Sequence, residues 1–305
     1  MNAGAEGNIA AISATRAARV RRIWLCADDY GISPAVNGAI RDLIVHGRLN
    51  ATSIMVVAPS FNRSEALSLP ILNIGTKRVA IGLHLTLTAP FRPLSGNFKP
   101  LVDGAFPPLK NMLRRALMRR LDKKAIRSEI DAQLKAFQAT FGYPPDFVDG
   151  HQHVHLFPQI RDAVLAAVKD AAPHAWVRQC GRVTPLRKRL FDCKGLFLDR
   201  LSRRFRQLAA RLDITTNPAF AGTYDFRSRI SFAKRFSHFL DHIPDGGLVM
   251  CHPGHVDDEL KRLDPLTTRR EEEYAFFSGE GFLRLLDMKG VMLATVPQPV
   301  AERAG

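Results

Sequence analysis

A hydrophobic run, Ile23 to Ala27, ends on two adjacent aspartates in CADDYG (26–31). Adjacent strand residues point to opposite faces, and two close carboxylates repel unless a cation, a proton or a division of roles separates them. Three other apolar stretches end in a similar way. VAIGL runs into His84, DFVDG into HQHVH (His151, His153, His155), and GLVMC into His252. An aspartate with two histidines suits Zn²⁺, Mn²⁺, Fe²⁺ or Co²⁺ and leaves coordination positions for water. Such a cation would account for the paired acids. One carboxylate binds it, and the neighbour, held ionised by the same charge, takes a proton from water. In an extended segment His151, His153 and His155 would share one face, whereas in a loop any of them can turn away. His153 and His155 therefore also read as partners of a ligand, as substrate contacts, or as core histidines bonded to a backbone carbonyl. Asp149 reads as an orienting group for a histidine or as a turn residue. Cys251 reads as a buried apolar residue, because its strand neighbour His252 points the other way.

These residues need a scaffold that gathers distant strand ends. Short apolar runs recur at 22–27, 51–57, 79–85, 146–150, 175–179, 247–251 and 291–296, with helical patterns between them. One helix is expected from Pro34 to His46, with Gly47 as its stop. A second starts at Asp122 and carries Ile126, Ile130, Leu134, Phe137 and Phe141 on one face, and another starts at Pro158. Repeated strand and helix imply a parallel sheet with crossovers. A (β/α) barrel is the first reading and an open doubly wound sheet the second, and in a barrel the carboxyl ends of the strands share the face that carries the site. The Pro- and Gly-rich stretch 89–110 has no period and reads as a lid or cleft wall.

The chain has 305 residues, 46% of them hydrophobic, enough for a large core. Residues 1–21 read as a flexible basic arm. Residues 22–305 read as one barrel domain with a basic helical insert at about 181–215, where Phe197, Leu201, Phe205, Leu208 and Leu212 recur at helical spacing. The amino-terminal order of residues is unlike a secretory signal, no apolar run reaches the length of a membrane span, and the four cysteines form no CxxC pair. A cytoplasmic protein with reduced thiols is expected. The net charge of +15 gathers in two segments, eight Lys/Arg against one acid from Lys110 to Arg127 and ten against two from Gly181 to Arg211. An anionic membrane surface, at the inner face of the membrane, is one partner this suggests, and a solvated face is the plain alternative. Nucleic acid is disfavoured, since no helix-turn-helix, zinc-finger or RNP pattern is present. A homodimer stays open.

In order, ADDYG, GLHLTLT (82–88), DGHQHVHLFP (149–158) and HPG (252–254) resemble the YdjC-like carbohydrate deacetylases, the ChbG/HpnK family, from about Arg22 to Val296. The resemblance implies an irregular (β/α) barrel related to polysaccharide deacetylases and removal of acetyl groups from N-acetylated amino sugars with one divalent metal, Zn or Mg first and Mn, Co or Fe next. It implies Asp29, His84 and His151 as ligands, Asp28 as base and His252 as acid, with His255 a rival for the last role. Tyr30 stands where that family more often has Phe. Both chito-oligosaccharide and a glucosamine-bearing hopanoid lipid occur as substrates in the family.

The expected chemistry is metal-assisted amide hydrolysis, with proton removal by Asp28 and protonation of the leaving amine by His252. No G-x-S-x-G elbow supports a serine hydrolase. Two rivals remain: an amidohydrolase-type barrel acting on another amide or ester, in which HxH binds metal but belongs to the first strand, and a basic binding protein without catalysis.

Overall fold

The computed structural model describes residues 20–72, 78–182, 193–226 and 230–295. The apolar runs form β1 (Arg21–Tyr30), β2 (Ala51–Ile54), β3 (Ala80–Leu85), β4 (Phe147–Gly150), β5 (Trp176–Val177), β7 (Leu248–Cys251) and β8 (Val291–Leu293). An additional strand, β6 (Phe220–Ala221), lies in a stretch without a β-branched apolar run. All the strand pairs are parallel, in the order β5-β4-β3-β2-β1-β7-β6, with β8 against the first residues of β1. Single bridges, Val177 to Thr216 and Arg182 to Phe220, link the two edges of the curled sheet. The result is an irregular (β/α) barrel rather than a doubly wound sheet.

Helix boundaries follow local chemistry. Ser33 caps α1 (Pro34–Val45) by accepting the Val36 N–H, with Pro34 in the first turn where its missing donor costs nothing. α2 spans Arg63–Leu72 and α3 Leu109–Leu117. Asp122 caps α4 (Lys123–Phe141), and left-handed Gly142 ends it. α5 (Ile160–Ala171) starts two residues beyond Pro158, because His151–Leu156 first make a 3₁₀ turn. α6 (Cys193–Arg211), α7 (Phe232–Leu240), α8 (Asp258–Leu263), α9 (Thr268–Ser278) and α10 (Glu280–Met288) complete the set.

The strands carry the core, with every residue of β2, β3, β4 and β7 buried. Phe232, Phe236, Phe276, Phe277 and Phe282 pack edge-on or tilted between α7, α9 and α10. Each fully buried phenyl ring contributes roughly 1.5–3 kcal/mol, so this cluster anchors α9, which reaches the site. In α6, Leu201 and Phe205 are buried while Arg203, Arg204 and Arg206 are exposed, which places that helix on the barrel with its charges in water. Residues 183–192 of the basic insert and 1–19 of the arm lie outside the described residues. Arg21 belongs to β1 rather than to an arm, and its guanidinium donates to the carbonyls of Leu240, Ile243 and Lys289.

Candidate active site

Alternation along β1 would send Asp28 and Asp29 to opposite faces, and the structure overturns that expectation. Asp29 has φ +68°, and the β1–β2 register shifts between Ala27 and Tyr30. This left-handed step, costly for a residue with a Cβ, lets both carboxylates line one cleft of about 570 Å³ with His84, His151, His153 and His252. Oxygen and nitrogen atoms of Asp29, His84 and His151 all lie within 4.8 Å of one another. Asp29 Oδ1 is 3.2 Å from His84 Nε2 and 3.0 Å from His151 Nδ1. His84 Nδ1 is tied on its far side, 2.6 Å from Asp149 and 3.0 Å from the Ser53 hydroxyl. A second carboxylate behind a histidine fixes which ring nitrogen faces forward. Phe91, from the Pro- and Gly-rich stretch, packs edge-on to His151, so that stretch forms a wall.

The positive charge beside the acids is partly built into the chain. Arg178 is fully buried and donates to both oxygens of Asp28, at 2.6 and 2.7 Å, and also pairs with Asp149 at 2.5 Å. Arg270, equally buried, donates to Asp29 at 2.6 Å and to Asp264 at 2.7 Å. Burial opposes ionisation of Asp28, but Arg178 and then His84 outweigh it and hold the carboxyl well below the ordinary range. Asp29 is likewise held down, by Arg270 and His151 against burial. Burial also opposes the charged form of His84, yet Asp149 prevails and raises it to about 10. Four carboxylates (Asp28, Asp29, Asp149, Asp264) face two guanidiniums and the protonated His84, so these side chains alone keep one net negative charge, with the His84 proton standing where a cation would bind. A cation that displaces this proton meets two unpaired negative charges, and with the converging Asp/His/His donors the site fits one divalent ion. Cys26, Asp28 and Asp149 also converge, but Arg178 lies among them, 3.0 Å from the Cys26 sulfur, so that group is a guanidinium site.

The other histidines separate. Gln152 and His153 both take left-handed φ, +53° and +58°, which breaks the alternation expected of HQHVH. His153 lines the cleft with Nδ1 3.5 Å from the Cys180 sulfur, while His155 is buried behind it with Nε2 2.9 Å from the Arg178 carbonyl. His155 is thus a core histidine, and burial pushes it well below its usual value. His252 lines the cleft, and its Nδ1 is buried with no hydrogen-bond partner among the described residues. His255 is exposed and sits edge-on to Tyr274 with ring centroids 4.2 Å apart, and it is not among the residues that line the cleft with His252. Cys251 is buried, as expected.

Glu273 of α9 secures the end of β7. It accepts from the His252 N–H at 2.5 Å and from the Tyr224 hydroxyl at 2.7 Å, and burial raises it to about 7 despite these donors. A raised carboxyl is worth most to the fold below its unfolded value near 4.5, and that stability is lost as pH climbs to about 7, by roughly 3 kcal/mol. Urea unfolding of Glu273→Gln at pH 5 and pH 8 should show a much smaller fall than the native chain. An equal fall in both would remove Glu273 as its source.

The chain matches the YdjC-like protein family over residues 22–288. It belongs to that family. A chitooligosaccharide deacetylase of Serratia marcescens is 32% identical over 240 residues, 76% of this chain and 81% of that protein. One from Proteus mirabilis is 27% identical over 280 residues, 91% and 92% of the two chains. Among solved structures, a candidate cellobiose-phosphate cleavage protein of Enterococcus faecalis V583 superposes with a TM-score of 0.71 at 19% identity, covering 90% of this chain and 97% of that one. This YdjC-like fold is therefore shared at low identity. Of the HxH pair only His151 joins Asp29 and His84, which separates the site from an amidohydrolase layout in which both histidines bind metal.

Proposed function

We propose that the chain is a metal-dependent carbohydrate N-deacetylase, a hydrolase that removes acetyl from an N-acetylated amino sugar. The convergence of Asp29, His84 and His151 from three separate strand ends carries this reading, in a family whose relatives include chitooligosaccharide deacetylases. These three residues would hold one divalent ion, with Zn or Mg first and Mn, Co or Fe also suited to the donor set. Such an ion, when bound, supplies Lewis acidity to an amide carbonyl and to water.

Asp28 accepts the proton from the attacking water. Its two bonds to Arg178 fix the carboxylate and keep it ionised, and they also make it a weak base, suited to an acidic proton. His252 donates to the leaving nitrogen. Burial pushes its imidazole below the ordinary value against the charges of Asp29 and Asp28, so its protonated form is a strong acid, and the proton that Asp28 takes from the attacking water balances the one His252 delivers to the amine. With Nδ1 beside the Cys180 thiol, His153 has Nε2 available for a substrate oxygen. Asp149 acts through His84 as a positioning residue.

His252→Ala should lower kcat by about 10²-fold or more, whereas His255→Ala should stay within about twofold of the native rate. Equal losses in both would remove the acid role from His252. The substrate class is tested by measuring acetate release by the metal-loaded protein from N-acetylglucosamine oligomers and from an N-acetylglucosaminyl lipid. Release from neither would overturn the deacetylase reading.

A further inference from the structure

The cationic segment that starts at Lys110 contains an exposed apolar corner between α3 and α4. Leu117, Met118, Arg119 and Arg120 are consecutive and all exposed, Leu117 and Met118 at 50% each. The helix has already met its packing needs by burying Met112 and Ala116, so the two apolar side chains at its end are left outward. Arg119, at φ +54°, turns the chain there. Arg114, Arg115, Arg119, Arg120, Lys123 and Lys124 flank these two residues along the chain, all exposed except the half-buried Arg115, and none of them is in an ion pair among the described residues. The nearby Asp122 uses its carboxylate to cap α4. Arg127 is excluded, because Asp131 and Asp170 neutralise it. The basic face of α6 differs in degree, since Leu201 and Phe205 are turned into the core between its arginines and, of its apolar residues at helical spacing, Phe197 alone is outward, at 37%.

We propose that the α3–α4 corner docks on an anionic lipid bilayer, its arginines and lysines among the headgroups and Leu117 and Met118 at the acyl boundary. The charges alone would serve nucleic acid as well, but an exposed leucine and methionine flanked by unpaired basic residues match a surface with an apolar layer beneath its anionic one. Helix α3 packs against the 3₁₀ turn that carries His151, so the docking surface and the cleft share a supporting element. This reading stands on exposure and charge and does not depend on the deacetylase assignment.

The test is co-sedimentation of the full chain with vesicles of phosphatidylcholine, with and without phosphatidylglycerol, at low and at physiological ionic strength. Binding should require phosphatidylglycerol. Changing Arg114, Arg115, Arg119 and Arg120 together to Gln should weaken low-salt binding by about 10²-fold or more. Leu117→Ser with Met118→Ser should leave low-salt binding near native but weaken it about tenfold at physiological salt, where screening shifts the load to apolar contact. Arg203→Gln with Arg204→Gln and Arg206→Gln should bind like the native chain. The changed residues are exposed apart from the half-buried Arg115, and matching melting curves would confirm that each variant is folded. No binding of the native chain at low salt, dependence on the α6 arginines instead, or indifference to the apolar changes at both salt levels would overturn the proposal. So would tighter binding to duplex DNA that ignores Leu117 and Met118, which would identify a nucleic-acid contact.

Discussion

Alanine at Asp29, His84 or His151, one at a time, should remove the bound divalent metal and lower deacetylation by more than about 10³-fold. The three donors lie within 4.8 Å of one another, so loss of any one leaves two ligands where the chemistry needs three. The variants should differ in stability. Asp29→Ala takes one of two carboxylates from the buried Arg270 guanidinium, which keeps Asp264 and the Leu266 carbonyl, and breaking a buried pair costs up to about 3–5 kcal/mol. His151→Ala takes no partner from a buried guanidinium and should melt close to the native chain. Metal analysis and melting curves on the same preparations separate the two effects. Stoichiometric metal in all three variants would refute the ligand assignment.

Asp28→Asn should retain the metal and lose turnover, with kcat down by about 10²-fold or more and KM little changed. The amide keeps the shape of the side chain and one oxygen for Arg178, but has no basic oxygen for a proton. Arg178 still pairs with Asp149, which limits structural damage. The adjacent change Asp29→Asn should instead weaken metal binding, so the two neighbouring carboxylates should fail in different ways. Near-native turnover of the metal-loaded Asp28 variant would show that the roles are misassigned.

The candidate ligands were readable because polar residues at the ends of apolar strands are rare enough to stand out. Asp29, His84 and His151 each follow a buried strand, and barrel topology gathers those ends. Arg178 follows β5 in the same way and was also readable, but a rule confined to aspartate and histidine passes over it. Arg270 gave no comparable signal. It stands among the charges of α9, and its carboxylate partner is 241 positions away in the chain. Side-chain direction was illegible where the backbone leaves its period, at left-handed Asp29, Gln152 and His153, because alternation holds only for regular strands. The strand β6 escaped notice because Phe220–Ala221 lie in NPAFAGTYD, which has no β-branched apolar run like the one around the equally short β5, and tertiary pairing makes them a strand.

Whether one divalent ion held by Asp29, His84 and His151 drives deacetylation is tested most directly by titrating chelator-stripped protein with metal while acetate release from an N-acetylated chito-oligosaccharide is followed. No release is expected without metal, then a rise that breaks at one ion per chain, and no recovery in His151→Ala. Acetate release that is unaffected by stripping, or that metal fails to restore, would contradict that role for the ion.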